Sequence, residues 1–379
     1  MLASIALVSL MSSDFDKDRL AQISARMKQF VAEKEVAGAV AMVRQKGRPV
    51  LTIVEGMADL EKGVAMQKDT VFQVMSMTKP VTAIAAVICA ERGLLNLDDN
   101  VDRWLPNLAK QKVQTPEGPK ERRRSMTLRH LLTHTSGLTG NDPGGLDDDQ
   151  KRLLPLAEYC SKFGEDNLQS EPGERISYSG PGIAAAGRIV ELATGQKLED
   201  FMAKEIFAPL GMKDTTFFAP ASMHPRIALM YEARNGRFEK FDSNPYRPGA
   251  RYANPAGGLY STADDMANLM DCLLAGGVWK GKRILSPAGI TALTTLQSGT
   301  LNMDGSEAQG YALGFTVVRS SAGASHFKPI GSFGHTGAFG TEFWGDPKSK
   351  MSVVYMAHSW NDRVRKSFNT MVNSAMTKR

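Results

Sequence analysis

Cysteine is scarce, with Cys89, Cys160 and Cys272 the only three in 379 residues and no C-x-x-C spacing among them. A disulfide framework or a thiolate metal site needs a denser, paired set, so these thiols read as buried packing residues. Long apolar runs are missing as well. No stretch approaches the ~18–20 consecutive apolar residues of a spanning helix, so no integral membrane segment is expected. There is no internal repeat, no low-complexity tract and no G-x-S-x-G, which leaves repeat architectures and the ordinary nucleophile elbow without support.

A strong charge of one sign is also lacking. The net charge of +6 comes from basic residues scattered along the chain. The one dense run, Lys120-Glu121-Arg122-Arg123-Arg124, follows a Pro/Gly segment and reads as a solvated loop, so no nucleic-acid partner is expected. With 42% hydrophobic and 23% charged residues the composition is that of a soluble globular protein, which excludes a disordered or collagen-like chain. His130 and His134 form an i,i+4 pair, but no Glu follows the first as in H-E-x-x-H. Their apolar neighbours point to hydrogen-bonded structural histidines, and neither metal nor cofactor is expected. The apolar stretch 2–10 has the character of a signal h-region. No Lys or Arg precedes it, however, and Met11-Ser12-Ser13 matches an A-x-A site poorly. The reading leans to a cytoplasmic chain, with export the alternative if residues 1–13 are a truncated signal.

Leu20, Ile23, Met27, Phe30 and Val31 recur at helical spacing and predict a first helix within 14–35. Residues 39–44 and 49–55 then read as two strands around a Gly-containing turn. Short strand-like runs at 314–319, 340–344 and 351–357 supply more of the same sheet, and 362–376 closes the chain as a helix. The middle is helical, over 82–92, 128–132, 154–163, 183–194 and 198–206, and is punctuated by Gly and Pro. Strands at both ends around a helical middle predict an α+β fold. Its sheet domain is discontinuous (14–80 and 251–379), an all-α domain (81–250) is inserted, and the active site lies in the groove between them.

The best nucleophile candidate is Ser76-Met77-Thr78-Lys79, set between an extended segment and a strongly apolar helix. The i,i+3 spacing puts Lys79 on the same face as Ser76, one turn on. A serine hydroxyl needs an adjacent base, and a lysine in an apolar groove loses its proton more readily than in water. The competing reading is that Ser76 caps the helix while Lys79 points to solvent. Tyr178 lies in the Gly/Pro loop Ser177-Tyr178-Ser179-Gly180-Pro181, where functional side chains concentrate. Phe333-Gly334-His335-Thr336-Gly337-Ala338-Phe339-Gly340 is a Gly-spaced, strand-like segment that a substrate can approach closely.

Taken together, these segments resemble the serine β-lactamase and penicillin-binding-protein superfamily, for which S-x-x-K is a signature. Leu131-Leu132-Thr133-His134-Thr135-Ser136-Gly137, Pro209-Leu210-Gly211-Met212 and Ala256-Gly257-Gly258-Leu259 extend the likeness over nearly the whole chain. The resemblance implies a β-lactamase/transpeptidase-like fold, an antiparallel sheet flanked by helices plus the inserted all-α domain. It also implies an acyl-enzyme on Ser76, with Lys79 handling the proton and Tyr178 as general base or relay. His335, Thr336 and Gly337 would bind substrate at the K-T-G position, and the N–H groups of Ser76 and Ala338 would form the oxyanion hole.

Two departures favour one branch. Gly180 stands where the Y-x-N motif has Asn, and His335 stands where K-T-G has a permanent cation; an imidazole is mostly neutral at pH 7. Both changes look like the family VIII carboxylesterases. The expected activity is therefore hydrolysis of small carboxylic esters, without metal. A β-lactamase, or an amidase or peptidase acting on D-amino-acid amides, is the alternative among enzymes. A non-catalytic binding protein of the same fold is the alternative outside them.

Overall fold

Asp16 accepts hydrogen bonds from the Asp18 and Arg19 N–H groups and so caps the first helix, α1 (Lys17–Ala32). The face carrying Leu20, Ile23, Met27 and Phe30 is buried, as the spacing predicts. A computed structural model describes residues 5–8, 14–164, 166–241, 244–301, 307–321 and 327–378. The export-signal reading of residues 1–13 falls partly outside these. Within that segment Ile5–Val8 forms an edge strand, β1. No helix among the described residues is long and apolar enough to cross a membrane.

The strands that follow are β2 (Gly38–Gln45), β3 (Arg48–Asp59) and the short β4 (Val64–Ala65). Further along come β5 (Gln309–Tyr311), β6 (Thr316–Val318), β7 (Phe333–Gly337), β8 (Thr341–Asp346) and β9 (Met351–Met356). They make one nine-stranded antiparallel sheet in the order β1-β3-β2-β9-β8-β7-β6-β5, with β4 beside β3. Both faces of its centre are covered. Ala39, Ala41 and Val43 of β2 turn toward α1 and the last helix, α5 (Asp362–Ala375), while Val40 and Met42 turn toward the opposite core, where the helix at Ala263–Leu274 covers the strand. Burial on two sides is why this antiparallel strand reads as an unbroken apolar run rather than alternating with polar residues.

The helix α2 (Thr78–Glu91) is buried on every side from Thr78 to Cys89, as a helix apolar all round must be. It starts four residues earlier than expected because Pro80 sits in its first turn, where a missing N–H costs nothing. Small residues Ala184, Ala185 and Ala186 let α3 (Gly180–Thr194) pack closely against it. The structure corrects the helical expectation at several further places. The predicted 154–163 helix is confined to Leu156–Ser161 behind Pro155, and 198–206 is an α-turn followed by a π-type segment at Ala203–Phe207. The strand-like run to Gly340 ends at Gly337 and gives way to a tight turn. An unforeseen helix, α4 (Ala263–Leu274), lies on the inner face of the sheet.

Candidate active site

The short strand Phe72–Gln73 pairs with Tyr260–Ser261, and the chain then turns sharply at Met75 into the 3-10 turn Met75–Met77 that leads α2. Met75 takes a left-handed φ of 49°, a conformation that costs a non-glycine residue about 1 kcal/mol. Two hydrogen bonds hold the turn: the Thr78 hydroxyl donates to the Met75 carbonyl at 2.7 Å and accepts the Leu259 N–H at 3.2 Å. Ser76 is thereby presented to a cavity of about 770 Å³.

Ser76 does not cap the helix, and Lys79 does not face solvent. Lys79 is 2% exposed, and its ammonium donates to Ser76 Oγ at 2.8 Å and to the Ala256 carbonyl at 2.6 Å. Among the described residues no carboxylate pairs with it. Burial alone pulls its pKa from 10.5 down to about 7. The Lys79 Nζ also lies 4.6 Å from the centre of the Tyr178 ring. Loss of hydration pushes the Tyr178 phenol's pKa up to about 12 against the opposing influence of Ser76, so the phenol holds its proton at neutral pH. Ser179, next in the chain, caps α3 by accepting the Gly182 N–H at 3.0 Å. That cap fixes the loop from which Tyr178 projects.

The third wall is β7. Its neighbour β6 meets it only at Phe333 and Gly334, so the edge from His335 to Gly337 borders the cavity instead of another strand. His335 is 4% exposed, with Nδ1 2.7 Å from the Thr336 carbonyl and Nε2 3.4 Å from the Tyr311 hydroxyl. Burial and the nearby Lys79 charge lower its pKa to about 3, which leaves the ring neutral. Thr336 is exposed along this edge. At Gly337 a Cβ would lie 2.3 Å from the Val74 carbonyl, so glycine is what lets β7 close against the turn that carries Ser76. Ala338 begins the following turn, exposed and lining the cavity with Ser76.

Ser76, Tyr178, His335, Thr336, Gly337 and Ala338 thus line one cavity, with Lys79 buried behind Ser76 and bonded to it. Others there went unnoticed. Tyr311 carries no local signal. The Ala256 carbonyl lies in a segment recognised only as part of a family pattern. Lys328, Glu342 and Arg365, an ion cluster far apart in sequence, line the cavity's other end. His130 and His134 are both engaged with backbone: His130 Nδ1 accepts the Thr127 N–H at 3.1 Å and His134 Nδ1 accepts the Ser179 N–H at 3.1 Å.

Comparison with known proteins finds relatives that span most of the chain. A family model described as Beta-lactamase matches residues 23–372. Protein Rv1367c of Mycobacterium tuberculosis is 32% identical over 343 residues, covering 85% of each chain. Esterase EstB of Burkholderia gladioli is 28% identical over 370 residues, covering 89% of this chain and 90% of its own. Among solved structures, EstCE1, described as a hydrolase with promiscuous acyltransferase activity, superposes with a TM-score of 0.80 at 23% identity. The match covers 94% of this chain and 99% of that one, and it is a likeness of fold.

Proposed function

The chain belongs to the β-lactamase family, and from that premise we propose that it is a serine hydrolase of small carboxylic esters working through an acyl-enzyme on Ser76. One observation carries the reading: Lys79 is buried, with no carboxylate partner among the described residues, within hydrogen-bond reach of Ser76 Oγ and with its pKa near neutrality. A lysine so placed accepts a proton rather than neutralising a charge. The discontinuous sheet part (14–80 and 251–379) and the helical part (81–250) then form the two sides of the groove.

In the proposed cycle, neutral Lys79 takes the Ser76 proton as Oγ attacks the ester carbonyl carbon. The oxyanion is met by the N–H groups of Ser76 and Ala338, donors worth a few kcal/mol each when aimed at a tetrahedral intermediate. As the carbon–oxygen bond to the alcohol breaks, the protonated Tyr178 supplies the alkoxide's proton and is refilled from the Lys79 ammonium. Water enters in the alcohol's place, and reversal of the same transfers releases the acid.

Esters are preferred over β-lactams because the anchors for a lactam are missing. A neutral, internally bonded His335 offers no permanent cation to a substrate carboxylate, and Gly180 has no amide to offer. The name of the relative EstB supports the ester reading. The test is one purified sample on p-nitrophenyl esters, nitrocefin and D-alanyl-p-nitroanilide side by side. The expected result is kcat/KM at least ~100-fold higher for a short-chain ester, about 2.7 kcal/mol in transition-state terms. Equal efficiency on nitrocefin or the anilide would favour the lactamase or amidase alternative.

A further inference from the structure

His134 grips the loop bearing Tyr178 at three consecutive residues. Its carbonyl accepts the Ser177 N–H at 2.7 Å, its ring packs on the Tyr178 ring at 4.5 Å between centres, and its Nδ1 accepts the Ser179 N–H at 3.1 Å. The strip continues on either side, since Gly173 N–H donates to the Thr135 carbonyl at 2.7 Å and Gln169 N–H to the Gly137 carbonyl at 2.8 Å. Tyr311 closes the arrangement edge-on against the His134 ring at 4.8 Å.

This placement is costly in two ways that packing alone does not explain. The His134 backbone is left-handed, with φ of 57°, and the residue is fully buried. Accepting a hydrogen bond at Nδ1 puts the ring proton on Nε2, and Nε2 is buried with no hydrogen-bond partner among the described residues. Burial above all, reinforced by the nearby Lys79 ammonium, holds the ring's pKa well below 6.5, so it stays neutral and keeps that lone pair for Ser179. A strained backbone and an unsatisfied polar group beside a candidate site are features that persist where geometry matters to function.

We propose that His134 is a positioning residue for Tyr178, clamping its ring face and the backbone on both sides so that the phenol is held against Ser76. The inference rests on Tyr178 working in the proton transfers described above. Its role is indirect, since among the described residues His134 has no hydrogen bond to Ser76 or Lys79.

The test is a double-mutant cycle with His134→Asn and Tyr178→Phe, with kcat normalised to active sites counted from the acylation burst. Asparagine tolerates the left-handed backbone and keeps an acceptor near the Nδ1 position, so H134N removes chiefly the ring. The expected result is a fall in kcat of about tenfold or more with KM changed less than about threefold, and an unchanged acidic limb of the pH profile. In the Y178F background the same substitution should cost less than about threefold, because the group it positions is already gone. If H134N does not accumulate as folded protein, H134G keeps the carbonyl that Ser177 uses and carries the same cycle. An equal loss in both backgrounds, or a loss confined to KM, overturns the positioning role alone. If Y178F keeps nearly full activity, the reading of Tyr178 and the inference built on it both fall.

Discussion

At the scale of residues, Lys79 ties activity to stability. Only the neutral amine accepts the Ser76 proton, so kcat/KM for an ester should rise about tenfold per pH unit up to about pH 7 and level off above it. A profile flat from about pH 5 to 8 would remove Lys79 as the base. Stability runs by the same linkage. Between the folded pKa of about 7 and the unfolded 10.5, the unfolded chain binds a proton that the folded chain does not. Stability therefore declines as pH falls through that window and changes no further below it on account of this group. At pH 7 the cost is on the order of 4 kcal/mol, against which the two lost hydrogen bonds of a variant weigh about 1–2 kcal/mol. Lys79→Met keeps the apolar stem and discards the charge. It should be inactive and yet melt at a higher temperature at pH 7, as read by thermal denaturation; a lower melting point would mean the hydrogen bonds to Ser76 and Ala256 outweigh the burial of charge.

At the scale of elements, the approach of β7 to the turn that carries Ser76 depends on one missing side chain. In Gly337→Ala the new Cβ would sit 2.2 Å from Thr341 Oγ1 and 2.3 Å from the Val74 carbonyl, so strand or turn must shift. Misplacement by about 1 Å costs roughly a hundredfold in rate, which is the fall in kcat expected for a variant whose circular dichroism matches wild type. Unchanged kcat would show that this contact does not set the alignment. The elements that position the site were legible where burial is one-sided or complete: α1 from its apolar stripe, β2 and α2 from unbroken apolar runs, Ser76 and Lys79 from their spacing. α4 was not, because Asp265, Asn268 and Asp271 look like surface residues. In the fold Asn268 and Asp271 meet Arg44 and Asp265 meets Thr215, partners more than 40 residues away that no local pattern announces. The grip of His134 on Ser179 spans 45 residues and was invisible for the same reason.

At the scale of the whole molecule, the sheet is stitched from the two ends of the described chain. β2 pairs with β9, Val43 facing Val353, and the Asp16 N–H donates to the Ala375 carbonyl at 2.8 Å. The α+β class and the grouping of strands toward the ends followed from the order of apolar patterns. How the two groups of strands join did not, since the β2–β9 pairing that connects them links segments about 300 residues apart. That central seam has a kinetic meaning. Closing so large a loop must precede any reward from β2–β9 pairing, so the seam should be a late event in folding, after local helices such as α2 and α3 have gained much of their structure. The strand bordering the Ser76 cavity is attached to the seam through β8 and inherits its delay. On dilution from denaturant, far-ultraviolet circular dichroism should recover in an early phase, and ester hydrolysis only in a later, slower one. Enzyme activity returning in step with the first phase would mean the site assembles before its sheet is joined.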